Sequence, residues 1–189
     1  MSDETAVRAF VALEMPERIR EVIGREQRHL KAELPRARWT RPEGQHLTLK
    51  FLGETTAEKL ARLKKEISDR LSGMPAVTIR LHGAGFFPST RRPRVAWIGG
   101  EASGGAAVAA VVEEASVASG FPREGRVWSL HLTQARLDRA WPRNAVERFL
   151  EWGRDLEIEP FRCGEVVLFA SDLRPGGAVY THLERFPLE

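Results

Sequence analysis

The tripeptide His-Leu-Thr occurs twice in this chain, at His46–Thr48 and at His131–Thr133. Each copy lies in an apolar stretch that is typical of a strand, and residues two apart on a strand face the same side. Each histidine therefore shares a face with its threonine. Two histidines that meet at one ligand can act as acid and base near neutral pH, because an unperturbed imidazole titrates at about pH 6.5.

Such a pair suits the opening of a phosphodiester, in which a base deprotonates the attacking oxygen and an acid protonates the leaving oxygen. The hydroxyls of Thr48 and Thr133 can donate hydrogen bonds to the non-bridging phosphate oxygens without adding charge. This chemistry requires no metal, and we predict no cofactor. A two-histidine metal site is the competing interpretation, but it needs carboxylate or cysteine ligands, and neither motif strand contains Asp or Glu.

The elements that must carry these residues follow the same order in both halves of the chain. In the first half, apolar patterns and turn residues predict three strands at Ala6–Leu13, His46–Leu52 and Ala76–Leu81, with helices from Pro16 to Leu34 and from Thr55 to Leu71. The third strand is predicted to end in a loop at Gly83–Pro88. The second half predicts strands at Arg94–Gly99, Trp128–Leu137, Phe161–Ala170 and Val179–Phe186, and helices at Ala106–Ser119 and Pro142–Leu156.

This repeat predicts an α+β fold of two lobes related by a pseudo-twofold axis, each with an antiparallel sheet and helices. No linker rich in Pro or Ser divides the halves, so we expect residues 1–189 to form one domain of two packed lobes. The histidine faces are expected to meet across a cleft between the sheets. Strand alternation predicts that Leu47, Leu49 and Phe51 point to the core on one motif strand, as do Leu130 and Leu132 on the other.

Composition limits the class of protein without defining its function. The chain has 189 residues, of which 42% are hydrophobic and 29% charged, as expected for a globular protein. Cys163 is the single cysteine, which excludes an internal disulfide and a cysteine-based zinc site. No apolar run approaches the roughly 20 residues of a membrane span, and the acidic start Met1–Glu4 is unlike a signal peptide. These features favour a cytoplasmic protein.

Arginine dominates the cationic residues, with 24 Arg against 5 Lys, and its planar guanidinium matches phosphate. Coding bias is the favoured explanation of the excess. The clusters at Arg36, Arg38 and Arg41 and at Arg91, Arg92 and Arg94 could steer an RNA backbone or lie on solvated loops. A general single-strand RNA binder is disfavoured, because the chain has one Tyr and its Trp and Phe residues mostly fall in apolar strand patterns. His29, His82 and His182 lack a threonine two residues later and are not assigned to the site.

Longer stretches around the motifs resemble the two-histidine phosphoesterases, and within them the LigT-like RNA 2′,3′-cyclic phosphodiesterases, also called 2′–5′ RNA ligases. That family carries twice the pattern of a histidine, a variable residue, a threonine and an apolar residue. The resemblance covers nearly the whole chain. The similar stretches are HLTLKFLGE from His46, FFPSTRRPRVAWIG from Phe86, SLHLTQAR from Ser129 and LFASDLRPGGAVYTHLERFPL from Leu168.

The resemblance implies a bilobal α+β fold and metal-independent hydrolysis of RNA 2′,3′-cyclic phosphate ends to 2′-phosphates. It implies that His46 is the proton donor and His131 the acceptor. Thr48 and Thr133 then bind phosphate, and Arg136 matches the basic residue that follows the second motif. The implied substrates are RNA ends, tRNA fragments among them, or cyclic nucleotides, and a monomer is favoured. Reverse ligation through a 2′–5′ bond is a second implied activity, and a non-catalytic nucleotide- or RNA-binding module is the alternative function.

The second motif departs from the family pattern at two positions. Gln134 replaces the usual apolar fourth residue, and Leu130 stands where a proline commonly precedes the histidine. Alternation points Gln134 to the core, where a buried amide without partners costs roughly 1–3 kcal/mol. On this basis Gln134→Leu is expected to be neutral or stabilising unless the amide has hydrogen-bond partners.

Overall fold

The computed structural model describes residues 6–174 and 177–189, so the acidic start Met1–Glu4 lies outside the described residues. The described residues form four α-helices and two antiparallel sheets, which confirms the predicted α+β class. None of these helices is long and apolar enough to cross a membrane. The helices are α1 (Glu17–Glu33), α2 (Ala57–Leu71), α3 (Gly105–Ala118) and α4 (Arg143–Asp155). The strands are β1 (Val7–Leu13), β2 (Arg38–Trp39), β3 (Leu47–Thr55), β4 (Val77–Ser89), β5 (Arg92–Ser103), β6 (Leu132–Arg136), β7 (Phe161–Cys163), β8 (Glu165–Arg174) and β9 (Gly177–Pro187).

Each sheet takes strands from both halves of the chain. The first sheet has the order β3-β1-β8-β9, and the second has the order β2-β6-β5-β4-β7. The third strand of the first half, β4, pairs with β5 of the second half, while β8 pairs back with β1. Because each half contributes strands to both sheets, the motif strands occupy matching positions. Strand β3 lies beside β1, and β6 lies beside β5, which is the first strand of the second half.

A β-bulge interrupts each motif strand at the fourth residue of its motif. Along β3, Thr48 pairs with Ala12 and Lys50 with Val11, so the ladder skips Leu49. Along β6, Thr133 pairs with Trp97 and Ala135 with Ala96, so the ladder skips Gln134. A bulge adds one residue to a strand and shifts the alternation of side chains beyond it. The two motifs therefore share a backbone irregularity as well as a tripeptide.

The bulge on β3 corrects the predicted direction of Phe51. Strict alternation points Phe51 to the core with Leu47 and Leu49, but its side chain is 56% exposed in the structure. Lys50, predicted on the opposite face, is instead turned inward and only 2% exposed. The extra residue at Leu49 puts both Leu49 and Lys50 on the core side and returns Phe51 to the face of Thr48.

The amide of Gln134 is fully buried and has partners, which reverses the expectation for its replacement. Gln134 Oε1 accepts a hydrogen bond from Gln27 Nε2 of α1 at 2.9 Å, and Gln134 Nε2 contacts the carbonyl oxygen of Leu132 at 3.3 Å. Gln27 is itself buried. The amide pair fixes α1 against the bulge of the second motif strand.

We now expect Gln134→Leu to lower the free energy of unfolding by about 1–3 kcal/mol, because Gln27 Nε2 would lose its acceptor in a buried place. Leucine itself fits such a position, since Leu49 occupies the equivalent bulge of β3. The double variant Gln27→Leu/Gln134→Leu removes both amides and should recover part of the loss. Urea unfolding of the three proteins checks this, and a single variant as stable as the unaltered protein would contradict it.

Several element boundaries also differ from the prediction. The motif strands begin one residue after His46 and His131, so both histidines lie just before their strands. Strand β4 continues through the predicted loop. Glycine at position 85 lets the strand pass close to the Trp97 ring, since a Cβ on Gly85 would lie 2.3 Å from that ring. Thr56, rather than Thr55, caps α2 by accepting a hydrogen bond from the Lys59 amide. Gly164 separates β7 from β8, where one strand was predicted.

Candidate active site

Both motifs open onto one cleft of about 540 Å³ between the two sheets. The cleft is lined by all five residues that the sequence and the resemblance singled out: His46, Thr48, His131, Thr133 and Arg136. The bulge explains the place of Arg136. It lies five residues after His131, an odd spacing that would point it away from the histidine on a regular strand, and the extra residue at Gln134 returns it to the cleft.

The two histidine rings are held in the same way. The His131 Nδ1 atom lies 3.1 Å from the carbonyl oxygen of Ser129, and the His46 ring hydrogen-bonds the backbone carbonyl of Gly44. In each case the acceptor is two residues before the histidine. A carbonyl oxygen can only accept, so the bonded ring nitrogen carries hydrogen in the neutral imidazole. For His131 this leaves Nε2 unprotonated and able to act as a base.

Aromatic rings enclose His46 on several sides. The Phe10 ring stacks on it with centroids 4.5 Å apart, and the Tyr180 ring meets it edge-on at 5.0 Å. Burial among these rings, together with the nearby charge of His131, lowers the pKa of His46 to about 4, against the opposing hydrogen bond to Gly44. The neutral form of His46 is therefore the major one at pH 7 in the protein without ligand.

His131 lies in a different environment, with the Phe87 ring edge-on at 5.2 Å. Phe87 is 40% exposed and lines the cleft. Because His46 is enclosed and His131 is more open, the two histidines are not chemically equivalent, although their motifs are identical. Such a difference between two titratable groups is expected where one acts as acid and the other as base.

Three hydrogen-bonded contacts connect the first motif strand to α3 and to the segment that leads into the second motif. The Trp128 Nε1 atom donates to the carbonyl oxygen of Thr48 at 2.8 Å. The buried Lys50 ammonium lies 2.8 Å from a carboxylate oxygen of Glu113 on α3 and donates to the carbonyl oxygen of Pro122 at 2.8 Å. These contacts fix the position of the first motif strand relative to residues 122–131, and thereby the spacing of the two histidines.

The cleft also contains residues that sequence reasoning did not assign to it. They include Arg8, Phe51 and Tyr180. Arg8 could have been found, because it stands two residues before Phe10 on a strand and so shares its face. Tyr180 lies on β9, and its contact with His46 depends on sheet pairing that the sequence does not display.

The remaining histidines lie outside the cleft. His29 is exposed on α1, and His82 lies 3.6 Å from Glu101. His182 contacts Glu14 at 3.0 Å and lines a neighbouring cavity. Within residues 6–174 and 177–189, no group of three or more His, Cys, Asp or Glu side chains is arranged to hold a metal ion.

Of the two arginine clusters, only the first reaches the cleft. Arg38 lines it, while Arg91, Arg92 and Arg94 lie exposed on or next to the β4–β5 hairpin and are not among its lining residues. Arg38 also forms an exposed ion pair with Asp138 at 2.9 Å. The first cluster thus keeps the predicted possibility of steering a phosphate backbone, and the second is solvated.

Comparison with known proteins identifies a family. Residues 13–97 match the family described as LigT like Phosphoesterase. The chain is 33% identical over 183 residues to the RNA 2′,3′-cyclic phosphodiesterase of Methanothermobacter thermautotrophicus, covering 96% of this chain and 99% of that one. It is 34% identical over 184 residues to the protein of the same name from Archaeoglobus fulgidus, covering 95% and 99% of the two chains.

Two solved structures are similar to this chain over nearly its whole length. A protein of Thermus thermophilus superposes with a TM-score of 0.75 at 28% identity, covering 96% of this chain and 97% of that one. Escherichia coli LigT complexed with 3′-AMP superposes with a TM-score of 0.72 at 27% identity, covering 97% and 98%. The similarity thus extends over both sheets and both motifs.

Proposed function

Because this chain belongs to the LigT-like phosphoesterase family, we propose that it is a hydrolase that opens the 2′,3′-cyclic phosphate at the end of an RNA to give a 2′-phosphate. The observation that supports this most strongly is the meeting of two His-Leu-Thr motifs in one cleft that is also lined by Arg8, Arg38 and Arg136. The names of the curated relatives point to the same activity.

In the proposed reaction, neutral His131 removes a proton from a water molecule as the water oxygen attacks phosphorus. The bond between phosphorus and the 3′ oxygen breaks, and protonated His46 gives its proton to that oxygen. The products are a 2′-phosphate and a 3′ hydroxyl. His131 is then protonated and His46 neutral, and exchange of protons with solvent restores both groups. Thr48 and Thr133 donate to the non-bridging oxygens, and Arg136 pairs with the phosphate charge.

The acid role requires that His46 be protonated, although its pKa of about 4 in the protein without ligand favours the neutral form. The bound substrate favours the protonated form, since an anionic phosphate beside a buried imidazole stabilises the charged ring. We therefore propose that His46 becomes protonated when the substrate binds.

The direct test uses RNA that ends in a 2′,3′-cyclic phosphate, incubated with the protein with and without EDTA, and a phosphorus NMR spectrum of the product. We expect a 2′-phosphate in both incubations. A 3′-phosphate would mean that the two ribose oxygens bind in reversed roles, and loss of turnover with EDTA would contradict the metal-free mechanism. Binding without turnover would favour a nucleotide-binding module. Ligation in the reverse direction, a monomeric state and a cytoplasmic location stay predictions.

Replacing Thr48 or Thr133 by valine should lower kcat/KM by about 10- to 100-fold, because each change keeps the β-branched shape and removes one donor to a charged phosphate. Thr78→Val is the matched control, since Thr78 is exposed on β4 and does not line the cleft. Stability should change little in all three variants. Unchanged kinetics in both cleft variants would show that the two threonines are structural.

A further inference from the structure

A second cavity, of about 520 Å³, adjoins the cleft and shares His46 and Tyr180 with it. It lies where the start of α1, residues 42–45 and strand β9 come together. We call it the acidic cavity. Apart from the two shared residues, its lining differs from that of the cleft, and the proposed reaction uses none of it.

The acidic cavity has more carboxylates than cations to pair with them. Its lining contains four glutamates, two arginines and His182. All three of these basic side chains contact one carboxylate, that of Glu14: Arg185 at 2.6 Å, His182 at 3.0 Å and Arg20 at 3.6 Å. Within residues 6–174 and 177–189, no ion pair or side-chain hydrogen bond involves the other three glutamates, Glu17, Glu21 and Glu43. Three carboxylates therefore remain for a cationic ligand.

A buried polar side chain in the wall of the cavity indicates the same kind of ligand. Gln45 lines the cavity and is only 2% exposed. Neither Oε1 nor Nε2 of its amide has a hydrogen-bond partner among the residues that the structure describes. Most buried polar side chains have such a partner, because an unpaired buried amide is unfavourable. A ligand with N–H donors can satisfy the Gln45 oxygen as well as the carboxylates.

The second motif shows that this position does not need an amide. Gln45 directly precedes His46, and Leu130 directly precedes His131. Leu130 is buried and belongs to the apolar core. A polar side chain is therefore not required to build a His-Leu-Thr motif. The surroundings of Gln45 differ from this core position because Gln45 adjoins the acidic cavity.

Aromatic rings form an uncharged part of the wall. The Phe169 ring is buried and lies 4.8 Å from the His182 ring and 6.0 Å from the His46 ring. Aromatic faces attract cations and pack against methylene groups. An ammonium group on an alkyl chain matches this wall and the carboxylates together. A metal ion does not match, since no group of three or more His, Cys, Asp or Glu in the described part of the chain could hold one.

We propose that the acidic cavity is a binding site for a small linear alkylamine with two or more ammonium groups. The ammonium groups pair with Glu17, Glu21 and Glu43, and one of them donates to Gln45 Oε1. The methylene chain packs against Phe169. The inference goes beyond the proposed hydrolysis and does not depend on it, because the cleft supplies the residues of that reaction.

The test is an NMR titration of the full chain with putrescine, a linear diamine, at low ionic strength, where exposed charges are screened least. The side-chain amide signals of Gln45 and the ring signals of His46 should shift and reach saturation. Butane-1,4-diol has the same chain length without charge and should cause no such shifts. Magnesium chloride at the same concentrations matches the charge and the ionic strength of putrescine dihydrochloride, and it should not reproduce the shifts.

Two variants test the groups that hold the amine, with affinities measured by isothermal titration calorimetry. Glu17→Gln/Glu21→Gln should weaken putrescine binding about tenfold, because two exposed ion pairs are lost. Gln45→Leu should weaken it at least about tenfold, because a hydrogen bond to a charged group is lost. The matched control Glu58→Gln/Glu66→Gln removes the same charge from α2, where both glutamates pair with arginines of that helix, and should bind as the unaltered protein does.

Equal shifts with magnesium chloride would show a general attraction of cations to an acidic surface and would overturn the proposal. Shifts that do not saturate, or equal affinities of Glu17→Gln/Glu21→Gln and its α2 control, would overturn it as well. If Gln45→Leu does not fold, the glutamate pair decides the question, because Glu17 and Glu21 are exposed on α1. Binding is measured without substrate, so neither result bears on the proposed hydrolysis.

Discussion

We expect His46→Ala and His131→Ala each to lower kcat for hydrolysis of an RNA 2′,3′-cyclic phosphate by about 10²–10⁴-fold, the range typical of general acid–base catalysis. The rings face one cleft and interact electrostatically, so we expect both to take part in the same proton transfers. The double variant should lose less than the product of the two single losses, because groups that act as a unit are not additive.

A matched control is His82→Ala, which removes an exposed histidine outside the cleft and should leave kcat unchanged. His46 packs against Phe10, so His46→Gln should be measured beside His46→Ala to separate lost chemistry from lost packing. Circular dichroism and thermal unfolding show whether each variant folds. A folded single variant with nearly full activity would remove that histidine from the mechanism.

The repeat made much of this architecture predictable. Apolar runs located β1 and β3, and helical spacing and composition located the four helices, to within a few residues. The identical tripeptides placed His46 and His131 at equivalent positions, and the pairing of two similar halves brought them to one cleft. The spacing of apolar residues and the internal repeat were therefore sufficient to predict these elements and the meeting of the two histidines.

The features that could not be predicted from the sequence depend on pairing between distant strands. The bulges at Leu49 and Gln134 exist only relative to β1 and β5, and nothing in the letters LTLKFL distinguishes a regular strand from one in which Lys50 turns inward. The exposure of Phe51 follows from the same cause. Strand β2 consists of two residues that pair with Arg136 and Ala135, and so short a strand leaves no periodic signal.

The hydrogen-bond partners of buried polar groups could not be predicted from the sequence either. Gln134 could be predicted to lie in the core, but its hydrogen bond to Gln27 joins residues 107 apart in sequence. The same holds for Tyr180, which reaches His46 from the last strand of the chain. Sequence periodicity specifies which face a side chain occupies, whereas its partner is set by the tertiary packing.

The stability of the protein should fall in mild acid because of His46. Its pKa is about 4 in the folded chain, against 6.5 as the ordinary value. Between these values the unfolded chain binds a proton that the folded chain does not. The free energy of unfolding is therefore highest above pH 6.5 and decreases as the pH falls from 6.5 to about 4, by about 3 kcal/mol in total.

Urea unfolding of the protein and of His46→Gln at several pH values isolates this contribution. Glu33 and Glu114, whose pKa values are lowered by hydrogen bonds from Arg148 and Arg123, lose their contributions only below about pH 4.5, and they do so in both proteins. The difference in the free energy of unfolding between the unaltered protein and His46→Gln should therefore change between pH 6.5 and 4. A difference that is constant over this range would show that His46 has an ordinary pKa.

The same pKa decides which histidine is the acid. Titration of the His46 ring by proton NMR should give a value near 4 in the protein alone and a higher value, toward 6.5, with a saturating nucleoside 2′-monophosphate, because the phosphate charge offsets the desolvation of the imidazolium. The His131→Ala variant with the same ligand separates the phosphate effect from the repulsion between the two rings. If the pKa of His46 stays near 4 in the complex, His46 is neutral when the substrate reacts. It would then serve as the base, His131 would be the acid, and the attacking and leaving oxygens would exchange places in the cleft.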